Sequence, residues 1–96
     1  MIEKPARCTK YLRWVATLPC VVCGGESVAH HLIGHGKSGM GTKVSDFETF
    51  PLCGHHHTGD QGIHLLGWRR WEEIYGCQTK HVRRTTEKAK VAGWLK

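Results

Sequence analysis

The sequence has no apolar run near the roughly 20 residues that a membrane-spanning helix requires, so no transmembrane helix is expected. It has only 3 prolines, no internal repeat, no low-complexity stretch and no Pro/Gly/Ser linker. Nothing divides the 96 residues into separate folding units, and a single domain over residues 1–96 is expected. Met1-Ile2-Glu3-Lys4-Pro5 lacks an apolar stretch and a small-residue cleavage site, which argues against a secretory leader. The 5 cysteines are odd in number and come without an oxidising context. A cytoplasmic protein with reduced thiols is therefore expected rather than a disulfide framework. Charged residues at 23% together with 4 tryptophans exclude a disordered chain. A chain of this length buries only about 60–68% of its unfolded surface, so a hydrophobic core alone is marginal and a staple is expected.

Acidic residues are also scarce, 8 against 14 Lys and Arg, for a formal charge of +6. The excess is uneven: residues 1–18 carry +3, residues 19–68 carry −2, and residues 69–96 carry +5. Two basic flanks around a slightly acidic, histidine-rich middle suit a polyanion gripped beside a metal site, although basic balance also serves solubility.

The staple is a candidate zinc knuckle. Cys20-Val21-Val22-Cys23-Gly24 presents two thiolates at metal spacing, and the Gly24-Gly25 turn after it does not fit a thioredoxin-like redox pair. Pro51-Leu52-Cys53-Gly54-His55-His56-His57 repeats the two-residue gap between Cys53 and His56. Cys20, Cys23, Cys53 and His56 make a Cys-x-x-Cys…Cys-x-x-His set for structural zinc, with His55 competing for the fourth position. Cys8 and Cys77 have no evident partner and read as structural thiols.

Histidines are the most concentrated feature. Seven of the 8 lie within residues 30–64: His30, His31, His35, His55, His56, His57 and His64. Any one alone is most often a core or surface residue, but the knuckle absorbs only one of them. Around them the coarse structure is a helix from Lys10 to about Thr17 capped by Thr9, a strand over Ser27–Ile33 and a glycine loop over Gly34–Gly41. A second strand follows over Phe47–Leu52, then a helix starting near His57, helical residues Leu65–Tyr75, and a basic helix over Thr79–Ala89. Trp68, Trp71 and Tyr75 are at helical spacing and read as core. Lys37 and Lys43 in the glycine loop, Arg69 and Arg70, and Lys80, Arg83 and Arg84 are the DNA-backbone candidates, with the loop lysines equally ordinary as solubility residues.

Ala29-His30-His31-Leu32-Ile33, the Gly39-Met40-Gly41-Thr42-Lys43-Val44-Ser45-Asp46 segment, Phe50-Pro51-Leu52-Cys53 and the histidine after the second knuckle resemble the HNH endonucleases. The likeness is specifically to phage recombination-enhancement (RecA-dependent) nucleases and related prophage HNH proteins, and covers about residues 18–76. It implies an α+β fold: a small ββα-metal core with a structural zinc knuckle and flanking helices, as a monomer or weak dimer. It implies a metal-dependent DNA endonuclease in which His31, oriented by a backbone carbonyl, activates water. By the same resemblance His30 and His57 hold the active-site cation, His30 reaching it through a twisted or bulged hairpin.

Two positions depart from that pattern. Asp46 stands where the family often has Asn, and either caps the turn that positions His31 or approaches the metal. A further ligand commonly lies three or four residues into the helix, where this chain has Asp60 and Gln61; His64 is instead either a ligand, a phosphate contact or a helix-face residue. His35 reads as a substrate contact or a solvent-exposed residue. The implied cofactors are structural Zn2+ and a divalent cation, Mg2+, Mn2+ or Zn2+, and the implied partners are DNA and a recombinase filament, with no membrane. Two competing readings are a non-catalytic zinc-stabilised nucleic-acid-binding module and a zinc-containing protein–protein adaptor.

Overall fold

A computed structural model describes residues 7–34 and 44–94. The expected contacts of His35, Lys37 and Lys43 lie outside the described residues. The elements in order are α1 (Thr9–Ala16), β1 (Val28–His31), β2 (Thr49–Leu52), α2 (Gly54–His57), α3 (Ile63–Leu66), α4 (Trp68–Tyr75) and α5 (Gln78–Val91).

α1 forms because Tyr11 and Val15, one turn apart, fall on one buried face. Thr9 is its first residue rather than its cap. The cap position is Cys8, which has no side-chain cap bond and whose N–H instead donates to Asp46 Oδ2 at 2.8 Å. Pro19 follows shortly after the helix end, as expected for a residue that cannot continue it. The Ser27 hydroxyl then donates to the carbonyls of Ala16 and Leu18, closing the loop that carries the first Cys-x-x-Cys.

β1 and β2 pair antiparallel in unbroken register, Val28↔Leu52, Ala29↔Pro51, His30↔Phe50 and His31↔Thr49. Pro51, which has no N–H to give, still accepts from Val21 N–H at 3.1 Å and so ties the first knuckle to β2. α1 lies across both strands, and α5 packs on β2, with Gln78, His81, Thr85 and Ala89 on its buried face. The main core joins Phe50, Leu52, Ile63, Trp71 and Cys20, and a second cluster joins Tyr11, Val15 and Ala89. Trp71 is fully buried, with Trp68 and Tyr75 packed partly buried against the same core, as their spacing implies.

The helical stretch expected over Leu65–Tyr75 is two helices, broken by Gly67 at φ 86°. The helix expected to open at His57 instead ends there. Backbone bonds from Gly59 N–H to Gly54 O and from Gly62 N–H to Gly59 O then fold the chain back. A Cβ on Gly59 would come 2.8 Å from the His55 Cα, and one on Gly62 would come 2.6 Å from the His57 carbonyl oxygen. Only glycine permits so tight a reversal. No helix among the described residues is long and apolar enough to cross a membrane.

Candidate metal centres

α2 contributes to two clusters at once, because adjacent helical residues point about 100° apart. His56 turns inward to the knuckle and His57 turns toward β1. The ligand atoms of Cys20, Cys23, Cys53 and His56 all lie within 4.8 Å of one another. Cys23 and Cys53 Sγ are 3.5 Å apart, and Cys53 Sγ is 3.1 Å from His56 Nδ1. A tetrahedral zinc with ~2.3 Å bonds to sulfur and ~2.05 Å to nitrogen sets S···S near 3.8 Å and S···N near 3.6 Å. The set therefore fits an ion with small outward adjustment, and it can hold a structural metal such as zinc. Val22 N–H donates to Cys20 Sγ at 3.4 Å. Burial opposes ionisation of Cys20, but surrounding backbone N–H groups outweigh it and hold the thiol below its ordinary value, the direction a metal ligand needs. Burial, with the neighbouring His55, likewise lowers His56. His55 itself is exposed and only packs its ring on His56, so the fourth position belongs to His56.

The second cluster is His30, His57 and His64, again with ligand atoms within 4.8 Å of one another. His57 and His64 Nε2 are 3.1 Å apart. That is an N–H···N distance, and it is also close to the separation of ~3.0–3.4 Å for two imidazoles on one cation at ~2.1 Å. The cluster grades from buried His30 through half-buried His57 to exposed His64, which leaves one side open to solvent. Burial, then the charge His57 would carry, pushes His30 down to about 3, and burial with His64 lowers His57. The lone pairs of both are thus available at neutral pH.

Strand alternation alone aims His30 at this cluster and His31 at the other face, so no bulge is needed to bring His30 there. Among the described residues the partner of His31 is a carboxylate rather than a backbone carbonyl. His31 Nε2 lies 2.9 Å from Asp46 Oδ1, and 37% of the His31 side chain is exposed. Asp46 is nearly buried and also accepts from Arg7 Nη1 at 2.9 Å and from Cys8 N–H. Burial opposes its ionisation, but bonds from His31, Cys8 N–H and Arg7 outweigh that and hold its carboxyl below the usual range. All of these bonds run to His31 and the start of α1, and Asp46 is not in the ligand set of the three imidazoles. Asp60 is exposed, and Gln61 accepts from the Tyr75 hydroxyl at 2.9 Å; neither joins that set.

Arg69, Arg70, Lys80, Arg83 and Arg84 are all exposed. Arg70 pairs with Glu73 at 3.2 Å, and the Arg69 guanidinium stacks 5.0 Å from the Trp68 ring centre. The outer face of α5 therefore carries the freest run of positive charge among the described residues. Two further residues join the sites with no motif to mark them. Arg7 reaches Asp46 across 39 positions. Gln78 opens the buried face Gln78/His81/Thr85/Ala89, which is mostly polar, so no apolar period marks it.

A family model described as "Protein of unknown function (DUF968)" matches residues 3–93. The chain is 42% identical over 87 residues to a protein described as "Uncharacterized protein YdfU" from Escherichia coli (strain K12), a match covering 90% of this chain and 24% of that relative. It thus spans about a quarter of the relative's length. No solved structure matches. With the family model covering nearly the whole sequence, the chain belongs to the DUF968 family.

Proposed function

We propose that the chain is a metal-dependent DNA endonuclease of the HNH type, its strand pair and α2 forming a ββα-metal core. The observation that carries this reading is the convergence of His30, His57 and His64, distant in sequence, at a strand whose next residue, His31, reaches solvent. Phosphodiester hydrolysis needs an activated water and stabilisation of the departing oxygen. A Mg2+, Mn2+ or Zn2+ ion held by the three imidazoles would polarise the phosphate and stabilise the 3′ leaving oxygen.

The chain's own groups supply the rest. Asp46 accepts the Nε2–H of His31, which fixes the tautomer and leaves Nδ1 as the basic atom. Arg7 and Cys8 N–H hold Asp46 in place, so the imidazole that takes a proton from water is rotationally fixed. The basic outer face of α5, with Arg69 and Arg70, suits contacts to the duplex backbone. A zinc in the knuckle would anchor α2, and hence His57, to the Cys20–Cys23 turn that bonds to β2. A recombinase filament that presents the DNA is the proposed protein partner.

The test is supercoiled-plasmid cleavage with Mg2+ or Mn2+, wild type beside His31→Ala, both checked for folding by circular dichroism. Nicked or linear product from wild type alone supports the reading. Retention of DNA at moderate salt without cleavage, even with a recombinase filament and single-stranded DNA added, leaves a non-catalytic nucleic-acid-binding module instead. No retention at all leaves a protein–protein adaptor.

A further inference from the structure

Gln78 is completely buried at the start of α5, and every polar atom of its side chain is engaged. Its Oε1 lies 3.1 Å from Ile33 N, and its Nε2 lies 2.8 Å from Ile33 O. A backbone N–H only donates and a carbonyl only accepts, so this rung fixes which end of the amide is oxygen. The second acceptor on the nitrogen side, Glu72 Oε2 at 3.0 Å, agrees with it. Glu72 also accepts Gln78 N–H at 3.1 Å, so both backbone and side chain of Gln78 are immobilised. The same Oε1 lies 3.3 Å from His30 Nε2. An amide oxygen only accepts, so that ring nitrogen carries the proton.

We infer that Gln78 is a positioning residue that selects the Nε2–H tautomer of His30 and thereby presents His30 Nδ1, not Nε2, to the cation. The inference rests on the reading of His30, His57 and His64 as the cation site. It makes the site chemically asymmetric: Nδ1 from the buried strand residue, and Nε2 from His57 and His64, whose Nε2 atoms already face each other. It also assigns a role to the start of α5, which no metal-ligand motif marks. Residues that hold the far nitrogen of a ligating imidazole fix both its tautomer and its rotation.

The experiment is two-bond 1H–15N correlation on the uniformly 15N-labelled full chain with zinc in the knuckle, before and after addition of 113Cd2+. The expected spectrum shows His30 with a protonated Nε2 and a bare Nδ1, and cadmium then couples to His30 Nδ1. A protonated Nδ1, or coupling at Nε2, overturns the assignment of Gln78 while leaving the cation site standing. Absence of coupling at all three histidines overturns the cation site itself. In parallel, Gln78→Leu, with its fold verified by circular dichroism, is expected to weaken cadmium binding at these histidines by about 10–100-fold. Equal affinity for wild type and Gln78→Leu overturns the positioning role.

Discussion

Removing the knuckle metal should unfold this chain rather than soften it. Among the described residues the principal core rests on five buried residues, Cys20, Phe50, Leu52, Ile63 and Trp71, and Cys20 is itself a candidate knuckle ligand. Domains of this size have net stabilities of about 5–14 kcal/mol, at roughly 0.05–0.15 kcal/mol per residue. Structural zinc contributes about 10–16 kcal/mol when bound at neutral pH. The metal contribution is thus comparable to the whole expected net stability, and the metal-free state has little to fall back on. The Cys-x-x-Cys turn, β2 and α2 all converge on the four ligand atoms, so loss of the ion releases three segments at once. The assay is far-ultraviolet circular dichroism and tryptophan fluorescence under chelator titration, with bound metal counted by mass spectrometry. A cooperative loss of both signals, reversed by one equivalent of zinc, is expected. A stripped chain that keeps a cooperative melt within about 5 °C of the loaded one would refute the reasoning, since that shift is only about 1 kcal/mol.

Acid should act through His30. Its folded-state value near 3 lies below the unfolded value of ~6.5, so the unfolded chain binds more protons between those limits. The associated stability is complete above ~6.5 and lost as pH falls toward 3. Urea titrations should therefore show wild type losing about 1 kcal/mol more than His30→Gln between pH ~6.5 and ~5.5, and parallel profiles would contradict this. Asp46→Ala strips partners from His31, Arg7 and Cys8 N–H together. It should cost about 1–3 kcal/mol in denaturant unfolding and slow the proposed cleavage by up to about 100-fold. Lys80→Ala, Arg83→Ala and Arg84→Ala should each weaken duplex binding regardless of sequence and reduce the salt slope by about 1, as fluorescence anisotropy over a salt series would show.

Much of the site was legible because metal ligands obey short-range spacing. Cys20/Cys23 and Cys53/His56 sit at a two-residue gap, and that gap alone brought the four into one cluster. His30 and His57 are legible as a pair only through the resemblance to the HNH endonucleases. His64 is not, because its place depends on the Thr58–Gly62 reversal. Gly59 and Gly62 signal that the helix breaks there, but not where the chain goes next. The Asp46–His31 and Gln78–His30 bonds span 15 and 48 positions, and no local pattern encodes such pairings. Helix boundaries shifted for related reasons. Thr9 has the chemistry of a cap, yet Asp46 takes the Cys8 N–H just before it, and Gly67 splits what the apolar spacing joined.

The most direct test of the proposed chemistry is the single-turnover nicking rate of supercoiled DNA at saturating Mn2+, with the knuckle zinc-loaded and the fold verified. Wild type should nick, and His31→Ala should be slower by about 100-fold or more while binding DNA and Mn2+ as wild type does, because general-base catalysis contributes on the order of 10²–10⁴. Equal rates for the two proteins would contradict the assignment of His31, and with it the endonuclease reading.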